Sequence, residues 1–172
     1  SADGLNYVAG GNGLYGILDI GNSSVIGDVN SGNVISGNTT GISCSGCIGI
    51  RVFGNKIGMA YDGITAKSNS TGIFLGGGGL DAIIGKSDSL TGNLISGNIS
   101  VQIWVNDYTD VSIANNIIGP NKTGMSAPVA TVHGVYIDHV NATNVIVGGL
   151  LTEERNLISA NSIGVNVVTS GV

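Results

Sequence analysis

Charge is the scarcest property of this chain: Lys, Arg, Asp and Glu make up 10% of its 172 residues, and the formal net charge is -5. The six Lys and Arg stand singly instead of forming a stripe. Phosphate backbones are bound by clustered cations, so a nucleic-acid partner is not expected. No apolar run reaches the roughly 20 residues that span a bilayer, so membrane insertion is not expected either. Proline is limited to Pro120 and Pro128, in one loop, and cysteine to Cys44 and Cys47. One cysteine pair makes neither a disulfide framework nor a four-ligand zinc set, and Cys44-Ser45-Gly46-Cys47 reads as a buried thiol or a small-loop disulfide. No metal and no cofactor are expected.

Glycine (30), asparagine (19) and short runs of Ile and Val fill the chain instead. Asn93-Leu94-Ile95-Ser96-Gly97-Asn98 has close copies in Asn33-Val34-Ile35-Ser36-Gly37-Asn38 and Asn156-Leu157-Ile158-Ser159-Ala160-Asn161. Ile35 to Ile95 is 60 residues and Ile95 to Ile158 is 63, so a long unit repeats. Asn55-Lys56-Ile57-Gly58 and Asn116-Ile117-Ile118-Gly119 fall between the copies and divide the unit into two coils of about 30 residues. Each coil offers three short strands bounded by Gly, Asn, Ser and Thr, and no stretch has a helical period. Strands so arranged pair with their equivalents one coil later, in parallel, as a solenoid.

The chain resembles the right-handed parallel β-helix repeat proteins of the pectate-lyase-like superfamily. The likeness is closest to the Asn-x-Ile-Gly and Asn-x-Ile-Ser-Gly-Asn repeats of large secreted or surface-exposed microbial proteins. It implies an all-β, right-handed parallel β-helix of about five coils. The chain reads as a single domain, 1–172, with a lead-in segment 1–15, repeated coils 16–167 and a C-terminal end 168–172. The superfamily holds lyases, hydrolases, tailspikes and non-enzymatic surface proteins, so the resemblance speaks to fold more than to activity.

Function in a stacked coil is sought in columns about 4.8 Å apart. Ile35, Ile57, Ile95, Ile118 and Ile158 form a core column. Asn33, Asn55, Asn93, Asn116 and Asn156, two residues earlier, are expected to form a hydrogen-bonded asparagine ladder of the kind known in β-helix families. In the recurrent strand Ile42, Ile73, Ile103, Val135 and Val165 face inward, so Ser43, Phe74, Trp104, Tyr136 and Asn166 face outward. Phe74, Trp104 and Tyr136 then make an aromatic stripe. A loop such as Gly119 to Val132 covers it, another copy docks on it, or sugar rings stack on it.

Other motifs carry less. Gly11 to Gly16 spells G-x-G-x-x-G, but a strand and a turn follow it instead of a helix. Gly76 to Ile84 fits a calcium nonapeptide that Gly85-Lys86-Ser87-Asp88 does not continue. His133, Asp138 and His139 flank one strand, with Asp138 opposed to the histidines. Asp138 has Asn106 and Gly76 at the matching outward positions of the preceding coils, while Asp107, Asp110 and Glu153-Glu154-Arg155 fall in turns. A carboxyl pair about 6.5 to 9.5 Å apart, as an inverting glycosidase requires, is not evident, and no catalytic residue is nominated.

The sequons at Asn22, Asn38, Asn69, Asn98, Asn121 and Asn141 are candidate glycosylation acceptors and hint at an exported surface. The repeat runs close to both termini with no capping helix, which reads as a piece of a longer protein or as ends covered by other copies. The expectation is a secreted or cell-surface structural, adhesin-like protein. It would associate head-to-tail with copies of itself through coil ends or the stripe, as a filament subunit. The alternative is a carbohydrate-binding or polysaccharide-cleaving module that holds glycans on Phe74, Trp104 and Tyr136, with Asp138 as its best acid.

Overall fold

The computed structural model describes residues 11–29, 31–86, 92–138 and 141–168. The first coil holds β1 (Gly13–Asp19), β2 (Val25–Ile26) and β3 (Val34–Ile35), and the second β4 (Asn38–Ser45), β5 (Arg51–Val52) and β6 (Lys56–Ile57). The third holds β7 (Thr71–Gly76), β8 (Gly79–Ile84) and β9 (Leu94–Ser96). The fourth holds β10 (Val101–Asn106), β11 (Tyr108–Ile113) and β12 (Ile117–Gly119). The fifth holds β13 (Thr131–Asp138), β14 (Val145–Val147) and β15 (Leu157–Ile158), and β16 (Asn161–Val168) opens a sixth.

Every named strand pairs with its equivalent one coil away. The first sheet runs β1-β4-β7-β10-β13-β16, the second β2-β5-β8-β11-β14 and the third β3-β6-β9-β12-β15. The chain is a right-handed parallel β-helix of five coils and the first strand of a sixth. Ile42, Ile57, Ile73, Ile84, Ile95, Ile103, Ile113 and Ile118 stack along its axis with no exposed surface. At about 1.5–3 kcal/mol for each buried side chain, taken as an upper bound, these columns are the main source of stability.

The asparagine ladder stands at the corner between the second and third sheets. Asn33 Nδ2 donates to Asn55 Oδ1, and Asn55, Asn93 and Asn116 donate likewise to Asn93, Asn116 and Asn156 at 2.9–3.2 Å. Each acceptor oxygen also takes the backbone N–H of the donor residue. The amides of Asn55, Asn93, Asn116 and Asn156 also donate to the carbonyls of Ile26, Val52, Ile84 and Ile113. The corner is buried at Asn55, Asn93 and Asn116, where its polar groups are satisfied.

A second polar ladder, at the corner between the third and first sheets, corrects the sequence reading. Asn38 Nδ2 donates to Asn69 Oδ1 and Asn69 Nδ2 to Asn98 Oδ1. Exposure is 6% at Asn38 and nil at Asn69 and Asn98. Their amides are committed inside the coil, so these three sequons cannot carry glycans in the folded chain. Asn121, 6% exposed, is buried as well, and its Oδ1 holds the Thr123 hydroxyl. Asn22 and Asn141 remain exposed.

Another corner uses left-handed backbone. Ser23, Gly49, Asp81, Asp110 and Asn144 share one register before the second sheet, with φ between 51° and 76°. Asp and Asn tolerate this conformation better than other non-glycine residues. Ala160 (φ 59°) stands where its repeat copies have Gly37 and Gly97, so the last coil carries a small strain that they avoid.

Candidate functional site

The outward column falls where alternation expects it. Register aligns Leu18, Ser43, Phe74, Trp104, Tyr136 and Asn166 across the first sheet. Phe74 and Trp104 pack edge to face at 5.1 Å between ring centres, and Trp104 and Tyr136 lie 5.9 Å apart with planes tilted by 32°. All three rings are half-buried against one another rather than open to solvent, and Ser43 is covered.

A second outward column lies three residues earlier, where strict alternation would have turned it inward. It comprises Tyr15, Thr40, Thr71, Val101, His133 and Ile163. A Cβ on Gly41, Gly72 or Gly134 would meet Ile57, Ile95 or Ile158 at 3.0–3.1 Å, so these corner positions point inward beside the inward Ile42, Ile73 and Val135. Two consecutive inward residues bend the strand and bring the residues on either side of them to the outer face. His133 thereby stacks on Tyr136 at 4.8 Å with planes 15° apart. The glycine column was the available signal for this bend.

The resulting face is aromatic and nearly uncharged. Of its outward residues only Asp138 is acidic, aligned with Asn106 and Val168, and Gly76 aligns with Ser45. Burial first, then the Asp138 charge and hydrogen bond, push the Tyr136 phenol above its ordinary pKa. Trp104 Nε1 and His133 Nδ1 are buried in this face without a hydrogen-bond partner. The 120–130 loop does not cover it. Lys122 N–H donates to Gly63 O, and a Cβ on Gly124 would meet Leu157, so that loop lies over the third sheet.

The remaining candidates separate. Cys44 and Cys47 form a disulfide with no exposed surface. The Tyr108 hydroxyl donates to Cys47 O at 2.9 Å and lies 3.6 and 3.7 Å from the two sulfurs. Asp81, from the calcium-like stretch, holds Arg51 at 2.7 Å. Among the described residues no three His, Cys, Asp or Glu side chains converge on a metal position. Glu154 accepts from Leu151 N–H in a short 3₁₀ turn, and Asp110 from Asn144 Nδ2. His139, Ser87, Asp88, residues 1–10 of the lead-in and 169–172 of the C-terminal end lie outside the described residues.

No family model matches the chain, and no curated protein or solved structure matches it either. The resemblance to one superfamily therefore rests on the repeat alone.

Proposed function

We propose that this chain is an extracellular structural protein of the pectate-lyase-like β-helix type, displayed at a cell surface, that assembles with copies of itself into filaments. One observation carries the reading: an apolar surface runs from the aromatic face of the first sheet onto the last described coil. Beyond His133 comes Ile163 on the same face, 42% exposed, and beside it in the inward register stand Val165, 42% exposed, and Val167, 60% exposed. Val165 and Val167 align with Val135 and Ile137, which are 0% and 8% exposed one coil earlier. Exposed apolar residues that continue an aromatic face gain from a cover, and self-association is the reading in which another copy supplies it.

Magnitude argues for using both surfaces. Six strands at about 4.8 Å by four residues at about 3.3 Å give a face of roughly 400 Å², against about 800 Å² per partner in stable complexes. The stripe alone is too small to hold two chains together. The buried disulfide suits an oxidising compartment, and the exposed Asn22 and Asn141 sequons suit an exported chain.

A second reading, a glycan-binding module, is favoured by the unpaired Trp104 Nε1–H, which a ligand hydroxyl would relieve. Sedimentation and electron microscopy of the purified chain, beside Trp104→Ala and Val167→Lys, test the choice. Filaments in the wild type that weaken in both variants are expected. A monomer whose glycan retention falls in Trp104→Ala would replace the first reading by the second.

A further inference from the structure

The outer face of the second sheet carries a groove that neither the core nor the aromatic face uses. Asp81, Ile83, Asp110, Ser112, Asn144 and Ile146 line a hollow of about 210 Å³. A larger one, of about 560 Å³, adjoins it at Ser112 and Ile146 and is closed by Leu150, Leu151 and Glu154. Its floor is apolar and exposed: Ile146 is 53%, Leu151 52% and Leu150 fully accessible. Asp81, Asp110 and Glu154 stand in its walls; Asp81 holds Arg51, Asp110 accepts from Asn144 Nδ2 and Glu154 from Leu151 N–H.

A projecting loop stands on the other side of the coil. The loop over the third sheet is tied by Gly124 N–H to Asn121 O, Asn121 N–H to Ser126 O, and the Thr123 hydroxyl to Asn121 Oδ1. From this braced turn Met125 projects with 91% of its surface exposed, and Lys122 is exposed three residues before it. The charge of Lys122 contributes to holding the surface carboxylate Asp62 below its ordinary pKa. Lys122 and Met125 stand on the same turn, one side chain for each of the two adjoining hollows.

We propose that the groove is the socket for the 121–125 loop of a second copy of this chain. Met125 fills the hollow between Ile146, Leu150 and Leu151, and Lys122 meets Asp110. The contact joins two different faces, so it is heterologous and propagates from copy to copy, as an open row or a closed ring according to the rotation it imposes. A braced loop loses little freedom on docking, which favours it as the inserted element. The inference rests on the self-association reading and names a partner surface for it that is separate from the aromatic face.

Charge reversal tests it on the full chain, by sedimentation velocity at matched concentration. Lys122→Glu and Asp110→Lys are each expected to lower the apparent association constant at least tenfold, because each sets like charges against each other in the socket. Mixing the two variants, or combining both substitutions in one chain, is expected to restore association. Circular dichroism melts keep a folding defect from being read as loss of contact, and Met125→Ser gives a charge-neutral check. If both reversals assemble like the wild type, the socket is overturned while self-association stands. If the mixture stays as weak as either variant, the Lys122–Asp110 pairing is overturned. A wild type that is monomeric throughout removes the self-association reading and the socket with it.

Discussion

Tyr108 shows how far one side chain can be committed in this coil. It has no exposed surface and rests on the Cys44–Cys47 disulfide. Burial, and then the charges of Asp81 and Asp19, push its phenol up to about 12. A group whose folded pKa is raised contributes stability below its unfolded value, about 10 for tyrosine, and loses it as pH climbs through the folded value. Alkaline destabilisation is therefore expected between about pH 10 and 12. Tyr108→Phe should cost about 1 kcal/mol at neutral pH, through the lost hydrogen bond, and flatten the alkaline decline. Urea denaturation of both proteins at neutral pH and near pH 11 checks this. An unchanged alkaline slope in Tyr108→Phe would assign the loss to another group. Nothing in the sequence joins Tyr108 to Cys44 and Cys47, since the contact crosses two coils.

The strands of the first sheet and their corners behave as elements with a fixed pattern, and one coil departs from it instructively. Asn38, Asn69, Asn98 and Asn161 mark the second polar ladder, but Thr131 occupies the fourth rung. Gln102 stands at the corner where the other described coils have Gly41, Gly72 and Gly134. Its Oε1 accepts from Asn98 Nδ2, its Nε2 donates to the Thr131 hydroxyl, and that hydroxyl donates to Asn98 O. Glutamine and threonine together replace one asparagine. Gln102→Gly should cost about 1–3 kcal/mol by leaving buried groups unpaired. Adding Thr131→Asn, which restores the ordinary rung, should recover most of it. A double-mutant cycle measures the coupling, and strictly additive costs would dissolve the pairing. The first ladder was legible because Asn-x-Ile recurs without a gap. The second was not, because its asparagines doubled as sequons and its fourth rung is a threonine.

At the scale of the molecule, stability runs along one axis, each coil supporting its neighbours. Ile95, mid-stack and with no exposed surface, and Ile158, half-buried in the last complete coil, belong to the same column. Ile95→Ala should cost about 2–5 kcal/mol, and Ile158→Ala distinctly less, because its site can relax toward solvent. Equal costs in monomeric protein would contradict this gradient, and costs at Ile158 that grow with protein concentration would tie the last coil to assembly. The scarcity of charge has its counterpart here too: a stacked coil satisfies polar groups with amides that repeat, and like charges one coil apart would repel.

The sequence alone determined the coil, its period, the axial isoleucines and the first asparagine ladder. Each depends on residues recurring at one register, and stacking turns such recurrence directly into contact. Tertiary structure decided what recurrence cannot express. The inward glycines bend the first-sheet strands and put His133 beside Tyr136. A corner buries Asn38, Asn69 and Asn98. The 120–130 loop lies on the third sheet and leaves the aromatic face uncovered. The groove at Asp110 and Ile146 forms from residues more than 30 positions apart. In every case the deciding quantity is which side of a bent strand a side chain takes, and that is set by the packing of neighbouring coils.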